Sequence, residues 1–599
     1  MKKTILSIAA AMLFHFSAYA VQAYNLPIAF TQTDGTTVTV VGHGDENIHY
    51  YTTADGVLLV HEADAYYIAG TNDNGELVST GILAHNDGER SAEEKRAIVR
   101  QDAQKFYASF STIMARHNAA AKAAANVDFI AHNGKVKTLV ILAQFSDEKF
   151  TINEPYKAFQ QYLNAEGAMV DYGNKDTSNY GSVAKYFADM SAGNFTPSFD
   201  LYGPVTLDKP LKSYGEGNDN MPLLVGDVCK AAKSQLNVNF ADYDSDGDGA
   251  VDLIYIIYAG YAESWSGNPT DCIWPKSGTV SIDATFDGKT ICRYGVNNEL
   301  NGRKGQQVGM INGIGLFCHE FSHCMGMPDF YATTAATTEC QTAENQSMDW
   351  WSLMDLGEYV NNGYRPTAYT AWEREHFGWL SITDLDASAN GVELKPIDNG
   401  GKAYRIRNNE DKSGNEYIII ENIQKDGWNK SLPGHGMIAD HVEYDPQVFT
   451  SKVNTVNNTL GHPRMAMIPA DGLLMKTTNA KYANEQNVSS LHMEQVKGDP
   501  FPGTSDVKEL TAAQNLPNFA WYAGTKEISQ SFANISEDEE TGLVTFDFNT
   551  PFTGISGIAA DKPADGNIYT IGGVSVGKDA QHLNNGVYIM NDRKFVVKK

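Results

Sequence analysis

Two histidines stand four residues apart in His319-Glu-Phe-Ser-His323, and a glutamate directly follows the first. Apolar residues at helical spacing surround them, which predicts a helix carrying His319 and His323 one turn apart on one face. Two imidazoles placed in this way can bind one zinc ion. Glu320 lies about a quarter turn further round, where it cannot be a third ligand but can reach a water that the ion activates.

The residues after this helix predict a turn that brings back a third ligand. Gly326 tolerates the left-handed backbone that ends many helices, and Pro328 cannot continue one. The chain then doubles back and presents Asp329 as the candidate third zinc ligand. Further along, the stretch Met348-Asp-Trp-Trp-Ser-Leu-Met354 returns a methionine toward the site. We expect Met354 to lie beneath the metal as a soft apolar floor.

This set of residues predicts hydrolysis of a peptide bond. A zinc ion held by three protein ligands keeps a fourth position for water and lowers the pKa of that water to about 7. Glu320 would accept the proton of this water and later pass it to the leaving amine. The sequence has no G-x-S-x-G elbow near a triad and no phosphate-binding loop. Tyr359 and Tyr364 are both candidates to assist the oxyanion, and the sequence does not choose between them.

A second cluster of carboxylates predicts a calcium site. Alternate aspartates with interposed glycines occupy Asp242-Tyr-Asp-Ser-Asp-Gly-Asp-Gly-Ala-Val-Asp252, a pattern that points carboxylates inward from a tight loop. The loop departs from an EF-hand, because position twelve counted from Asp244 is Tyr255 instead of glutamate, and a strand follows instead of a helix. We expect a structural calcium ion held by Asp244, Asp246, Asp248 and Asp252.

Composition excludes several classes of function. The chain has 599 residues, with 46 basic and 73 acidic side chains and a net charge of −27. This acidity argues against nucleic-acid binding, which needs a basic face, and disfavours binding to anionic membranes. No stretch reaches transmembrane length. All six cysteines lie between residues 229 and 340, and the sequence does not decide whether they form disulfides or remain free thiols.

The beginning of the chain reads as an export signal. Lys2 and Lys3 precede a short apolar run, and Ala18-Tyr19-Ala20 forms an A-x-A cleavage site. A small β-rich unit follows, and Ser91-Ala-Glu-Glu94 predicts the capped start of a helical stretch. We therefore expect an exported protein, either secreted or held at the cell surface.

The patterns in the rest of the sequence predict an α+β multidomain chain. Arg365-Pro366 suggests a helix that runs to Gly378, and an all-β pattern with Asn, Gly and Pro turns fills residues 393–549. The predicted order is a signal peptide (1–20), a β-rich and helical propeptide (21–133), a catalytic domain with the active-site helix (134–385), a β-sandwich-like domain (386–550) and a small β module (551–599).

The stretch from His319 to Tyr331 resembles the immune inhibitor A family of secreted bacterial metallopeptidases, whose motif is H-E-x-x-H-x-x-G-x-x-D. The similarity covers roughly residues 135–550, and segments that share it include Lys137-Thr-Leu-Val-Ile-Leu-Ala-Gln-Phe-Ser-Asp147 and Trp350-Trp-Ser-Leu-Met354. The resemblance implies a zincin-type catalytic domain, zinc, calcium and synthesis as a zymogen. Most related zincins with this turn use a third histidine where this chain has Asp329.

The resemblance also implies that residues 21–133 act as an inhibitory propeptide for the enzyme. This segment contains no cysteine, so latency would need an aspartate or steric plugging, and both alternatives stay open. Residues 551–599 resemble the C-terminal sorting domain of the type nine secretion route.

Two functions are compatible with these features. The first is a secreted zinc endopeptidase that cleaves extracellular proteins or peptides. The second is a non-catalytic calcium-binding surface or adhesion protein that retains a zinc fold. The intact Glu320 favours the first, because a purely structural zinc site has no use for a general base.

Overall fold

The structure is a computed structural model of the chain. It describes all residues except 1–17, 21, 24–26, 46–47, 63, 111–127, 168–177, 216–219, 266–267, 270, 305–309, 334–345, 475–493, 550–566, 571–574, 580–582, 585, 591–592 and 599. The chain divides into two compact units, residues 1–550 and 551–599. The predicted signal peptide therefore lies outside the described residues, apart from Ala18–Ala20.

Before residue 100 the chain is mostly antiparallel sheet. Six strands follow one another in chain order in this sheet, because short turns such as Asp55-Gly56 join neighbouring runs of β-branched and aromatic residues. The capping box predicted at Ser91 is present. The elements are β1 Ala18–Ala20, β2 Ile28–Thr31, β3 Thr37–Gly44, β4 His49–Thr53, β5 Leu58–Glu62, β6 Ala65–Thr71, β7 Leu77–Leu83 and α1 Ala92–Val99, of which β2 to β7 form the sheet.

The central region is built on a mainly parallel sheet. Its strands are β8 Lys137–Gln144, β9 Ser198–Thr206, β11 Ile254–Tyr261, β12 Lys276–Thr279 and β14 Arg293–Leu300, and a two-stranded ladder is formed by β10 Ala250–Val251 and β13 Thr290–Ile291. The sheet order is β1-β12-β14-β11-β8-β9. β12 runs antiparallel to β14, and β1 pairs antiparallel with β12 at the edge. Almost every residue of β8 and β11 is buried, as expected for central parallel strands.

Helices cover this sheet on both faces. They are α2 Pro155–Asn164, α3 Val183–Met190, α4 Met221–Leu236 and α5 Ile314–Cys324, whereas α6 Ala371–His376 lies against the strand Glu416–Ile423 of the region that follows. The helix predicted to start at Arg365-Pro366 is shorter than expected, because the Thr370 side chain and Glu373 form a capping box that starts α6 only at Ala371. One apolar core includes α2, α3, α5 and one face of the sheet, and α4 packs into a second core on the opposite face.

Residues 383–548 fold into two sheets that share one apolar core. The first has the order β15-β17-β18-β19-β20 and the second β16-β22-β21. The strands are β15 Thr383–Asp384, β16 Ala389–Leu394, β17 Tyr404–Arg407, β18 Glu416–Ile423, β19 Gly436–Glu443, β20 Met465–Met467, β21 Phe532–Asp538 and β22 Leu543–Phe548. The outer face of the first sheet contributes Ile419, Ile438 and Val442 to the core around the active-site helix, so this region and the central region pack together.

The unit 551–599 forms a separate four-stranded sheet of order β24-β23-β25-β26, made of β23 Ile568–Thr570, β24 Ser575–Gly577, β25 Gly586–Met590 and β26 Arg593–Val597. Short 3₁₀ segments lie at Asp87–Glu89, Leu211–Ser213, Phe240–Tyr243, Asp349–Trp351, Leu356–Gly363, Ile397–Asn399, Gly427–Ser431, Val496–Gly498 and Ala512–Gln514. Within the described ranges, none of the helices combines the length and hydropathy that a membrane span requires. The five cysteines in those ranges are free thiols, and Cys340 lies outside them.

Candidate active site

Helix α5 carries the candidate catalytic residues through the protein interior, and all eleven of its residues are buried. Its first turn lies against the segment Leu356–Gly363. A Cβ atom on Gly315 would lie 2.1 Å from the carbonyl oxygen of Glu358, so this approach requires glycine. The helix ends at Cys324, and Gly326 follows with a φ of 110°. The helix and the turn predicted from the sequence are therefore present.

His319, His323 and Asp329 converge at one point. The Nε2 atoms of the two histidines are 3.1 Å apart. Oδ1 of Asp329 lies 3.1 Å from Nε2 of His319 and 3.2 Å from Nε2 of His323. All three side chains are at most 1% exposed. Among the described residues, this is one of two groups of side chains whose ligand atoms are close enough to share a metal ion.

Backbone carbonyl groups orient both imidazole rings. Nδ1 of His319 lies 3.0 Å from the carbonyl oxygen of Leu353, and Nδ1 of His323 lies 2.7 Å from that of Met327. A carbonyl oxygen can only accept, so each Nδ1 must carry the proton that it donates. The Nε2 lone pairs are then directed toward Asp329, which is the arrangement that a metal-binding histidine pair requires.

Asp329 is held by a residue that the sequence did not point to. Asn454, from the loop between β19 and β20, accepts a hydrogen bond from the backbone amide of Asp329 at 2.7 Å. The Asn454 side-chain amide also donates to Oδ2 of Asp329 at 2.5 Å. The two residues are 125 positions apart, so no local pattern could have identified the contact.

Glu320 follows His319 on α5 and is fully buried. Burial raises the pKa of its carboxyl group to about 7, against the lowering effects of His323 and His319 and of a hydrogen bond with Ser277 on β12. A carboxylate with a pKa near neutrality can both accept and release a proton under physiological conditions. Glu320 therefore has the environment of a general base, next to β12 of the sheet.

A further buried carboxyl group, on Glu358, lies behind His319. Oε2 of Glu358 is 3.9 Å from Nδ1 of His319, and within the described part of the chain neither of its oxygens has a hydrogen-bond partner. Burial lowers the pKa of His319, but Glu358 and Asp329 raise it more, to about 9. At His323, burial also lowers the pKa, but Asp329 raises it more, and the pKa of this residue is likewise about 9. The surroundings thus favour positive charge at the point where the ligands meet.

The other predicted residues near this centre are also buried. Met354 is fully buried, and its carbonyl oxygen accepts a hydrogen bond from the Phe330 amide at 2.8 Å; its place beneath a metal stays a prediction. The Tyr364 hydroxyl donates to the carbonyl oxygen of Ile311 at 2.9 Å inside the protein. The Tyr359 hydroxyl donates instead to the carbonyl oxygen of Gln22, at 2.8 Å. Tyr359 is therefore the one of the two candidate tyrosines that contacts the N-terminal segment.

The acidic loop brings three of its four predicted ligands together. Oxygen atoms of Asp244, Asp246 and Asp252 lie close enough to share an ion. The Asp248 carboxylate lies outside this group and accepts a hydrogen bond from the Ala250 amide at 2.7 Å, so its role as a ligand stays a prediction. An ion pair with Lys289 lowers the pKa of Asp244. Burial raises the pKa of Asp252, and the neighbouring Asp246 and Asp244 add to this effect.

Known proteins share the central part of this chain. Residues 127–380 match the family described as immune inhibitor A peptidase M6, catalytic domain. Pre-pro-metalloprotease PrtV of Vibrio cholerae serotype O1 is 25% identical in an alignment 267 residues long, which covers 38% of this chain and 27% of that protein. Immune inhibitor A of Bacillus thuringiensis subsp. alesti is 26% identical in an alignment 308 residues long, which covers 43% of each chain. The chain thus spans less than half the length of these relatives, and the family resemblance of its central region is confirmed.

Proposed function

We propose that this chain, whose residues 127–380 are an immune inhibitor A-type peptidase domain, is a zinc-dependent endopeptidase. The observation that carries the proposal is the meeting of His319, His323 and Asp329 beside Glu320. A structural zinc site is usually closed by four protein ligands, whereas a catalytic site has three and keeps one position open. Three ligands next to a buried carboxylate favour the catalytic kind.

The three donor atoms fit zinc. Ligand bonds of about 2.0–2.2 Å in a tetrahedral arrangement place neighbouring donors roughly 3.3–3.6 Å apart, and the observed separations of 3.1, 3.1 and 3.2 Å lie just below this range. Two imidazole nitrogens and one carboxylate oxygen are also among the donors that zinc prefers. When bound, zinc would activate a water molecule and polarise the carbonyl group of the substrate.

Glu320 would perform the proton transfers. Its carboxylate would accept a proton from the attacking water and deliver it to the nitrogen of the leaving amine. The Ser277 hydroxyl, which hydrogen-bonds to Glu320, would hold the carboxylate in a fixed orientation. Burial of the site excludes bulk water and strengthens each of these interactions.

A substrate would lie along β12 as an additional strand. Ala18–Ala20 pairs antiparallel with Lys276–Gly278, so this side of β12 accepts a strand, and removal of residues 1–20 with the signal peptide would free the same backbone groups for an extended peptide. Addition of a strand to a sheet edge binds a peptide through its main chain and leaves specificity to side-chain pockets. The proposed substrates are therefore extended segments of proteins or peptides, with no nucleic-acid partner.

Residues 21–133 would serve as an inhibitory propeptide, so that the enzyme is made as a zymogen. The β-rich unit contacts the central region: the Arg303 guanidinium donates to the carbonyl oxygen of Ala29 at 3.0 Å, and His49 lies 3.1 Å from Glu263 and stacks on Trp274. Together with the hydrogen bond from Tyr359 to Gln22, these contacts favour steric obstruction of the active site over ligation by an aspartate.

The acidic loop would bind calcium as a structural ion. Asp244, Asp246 and Asp252 supply oxygen ligands of the kind that calcium prefers. The loop ends at β10 and directly precedes β11, a central strand of the sheet. A bound ion would therefore stabilise the start of that strand and would take no part in the chemistry.

Export would place this enzyme outside the cell. Residues 1–20 have the features of a signal peptide, and residues 551–599 resemble the sorting domain of the type nine secretion route. The separate compact unit formed by 551–599 is compatible with a role in sorting. The natural substrates would then be extracellular proteins.

Hydrolysis of casein tests the proposal. The full chain without its signal peptide is compared with a shortened chain that starts at residue 127, where the family match begins. We expect the shortened chain to cleave casein, to lose activity with a zinc chelator and to regain it on addition of zinc but not magnesium. Equal activity of both chains would remove the inhibitory role of the propeptide. Activity that survives complete zinc removal would refute the proposed function.

A further inference from the structure

A loop of the β region reaches into the metal centre. Residues 451–458 lie between β19 and β20, more than 60 residues beyond the end of the central region at α6. The Ser451 hydroxyl donates to the carbonyl oxygen of His323 at 2.9 Å, and its amide donates to that of Gly326 at 3.0 Å. The Asn457 side chain donates to the carbonyl oxygen of Phe330 at 2.6 Å. The loop therefore follows the chain from the second histidine ligand past the third ligand.

Within this loop, Asn454 holds both the backbone and the side chain of Asp329. The side-chain oxygen of Asn454 accepts a hydrogen bond from the Asp329 backbone amide at 2.7 Å, and its side-chain NH₂ group donates to Oδ2 of Asp329 at 2.5 Å. Two hydrogen bonds from one rigid amide fix the side-chain torsions of the aspartate. Only Oδ1 is left to face the two imidazoles, at 3.1 and 3.2 Å.

Asn454 is itself held in place by the surrounding chain. Its φ of 54° is left-handed, a conformation that asparagine adopts more readily than most residues. Its backbone amide donates to the carbonyl oxygen of Thr450 at 2.9 Å, and its carbonyl oxygen accepts from the Thr333 hydroxyl at 3.0 Å. The residue is 9% exposed. Its side chain thus approaches Asp329 in a defined orientation.

We infer that Asn454 is a positioning residue of the metal centre, which selects Oδ1 of Asp329 as the metal-binding oxygen and makes the β region part of the zinc site. This inference rests on the proposed zinc site. A histidine ligand presents a single lone pair once its other nitrogen is hydrogen-bonded, whereas an aspartate offers two equivalent oxygens and can bind through either or both. The hydrogen bond to Oδ2 removes that choice. Groups that orient a ligand in this way typically change metal affinity or activity by about 10- to 100-fold when mutated.

Zinc affinity of the full chain, measured by competition with a chromophoric chelator, tests the inference. We expect Asn454→Ala to weaken zinc binding by about 10- to 100-fold. Asn454→Asp should weaken it further, because a second carboxylate would then face Asp329. Cobalt substituted for zinc should give visible spectra that differ between Asn454→Ala and the wild type, since the aspartate can then bind through both oxygens.

Asn458→Ala is the matched control. Asn458 belongs to the same loop, four residues beyond Asn454, and ties it to Thr333 through two hydrogen bonds, at 3.0 and 2.8 Å. We expect this variant to keep the zinc affinity and cobalt spectrum of the wild type, even if the thermal midpoint falls. Wild-type zinc affinity in Asn454→Ala, or an equal loss in Asn458→Ala, would overturn the inference. A wild-type chain that binds no zinc would instead refute the proposed function.

Discussion

The two candidate metal sites are built in opposite ways. The ligands of the zinc centre are at most 1% exposed, and they are oriented by Met327 within the same motif and by Leu353 and Asn454 from two other segments. The acidic loop is largely exposed, and its carboxylates mostly accept hydrogen bonds from amides within the same eleven residues, such as that of Gly247 to Asp244 at 2.8 Å. The first site depends on the whole fold, whereas the second is nearly complete in its local sequence.

This contrast implies that the two ions act on different properties. A buried ion beside an ionisable base is suited to chemistry, because the surroundings are already arranged and water is excluded. An ion in an exposed loop replaces solvent and local hydrogen bonds, so it can stabilise the fold without changing the reaction. Changes at the first site should therefore affect turnover, and changes at the second should affect the free energy of unfolding.

The largest expected effect is that of Glu320→Gln on the processed enzyme. Glutamine keeps the size of the side chain but cannot accept the proton, so we expect the turnover number to fall by about 10²- to 10⁴-fold. Zinc content should stay unchanged, because Glu320 is not one of the converging ligands. Measurement of casein hydrolysis together with bound zinc separates the two properties. A variant that keeps wild-type turnover would show that another group acts as the base.

Calcium should stabilise the chain without being required for turnover. At a calcium concentration 100 times the dissociation constant, the free energy of unfolding should rise by about 2.7 kcal/mol, as measured by denaturant titration with and without the ion. Asp246→Asn is the matched variant, because its side-chain oxygen can still accept the hydrogen bond from the Asp248 amide at 3.0 Å while the ligand charge is lost. If calcium stabilises this variant as much as the wild type, the loop is not the calcium site.

The same contrast explains what sequence reasoning could reach. The helix of His319 and His323 and the turn at Gly326 follow from local rules of periodicity and backbone conformation, and both are present. The acidic loop is also recognisable from its local sequence, although only three of the four aspartates predicted as ligands converge and Asp248 does not. Asn454 and Glu358 could not be found in this way, because their proximity to the site is created by tertiary packing.

Local signals can also mislead when two of them compete. Arg365-Pro366 has the appearance of a helix start, yet Thr370 provides a side-chain cap five residues later, and the helix begins there. A proline fixes only its own φ angle, whereas the capping box satisfies two backbone amides at once. The α+β character of the chain was predictable, but the strand order of the central sheet depends on long-range pairing that no short stretch of sequence records.

A smaller effect should come from the proposed propeptide, which contacts Tyr359 through Gln22. Tyr359→Phe removes the hydrogen bond to Gln22, which should weaken inhibition of the processed enzyme by added residues 21–126 about fivefold, since one such bond contributes about 1 kcal/mol. Tyr364→Phe removes a similar hydrogen bond, to Ile311, away from the propeptide. Its inhibition constant should remain that of the wild type, and an equal change in both variants would argue against a specific contact.

The smallest expected effect concerns Lys289, the cation that the acidic loop already holds. Its ammonium group pairs with Asp244, whose side chain is fully buried, so calcium must share this carboxylate with Lys289. We expect Lys289→Gln to lower the calcium-free unfolding free energy by at most about 1 kcal/mol, because the lysine is partly exposed. The same change should tighten calcium binding a few-fold, since a competing positive charge is removed.

Lys233→Gln provides the control for this last change. Lys233 forms an ion pair with Asp287 at 2.6 Å, outside the acidic loop, and is exposed to a similar degree. Lys233→Gln should lower the free energy of unfolding by about as much as Lys289→Gln does. The calcium affinity, measured by titration calorimetry, should stay that of the wild type. Weaker calcium binding in Lys289→Gln would mean that Lys289 organises the loop for the ion. The loop would then depend on a tertiary contact, as the zinc centre does. The two sites would then differ only in how deeply they are buried.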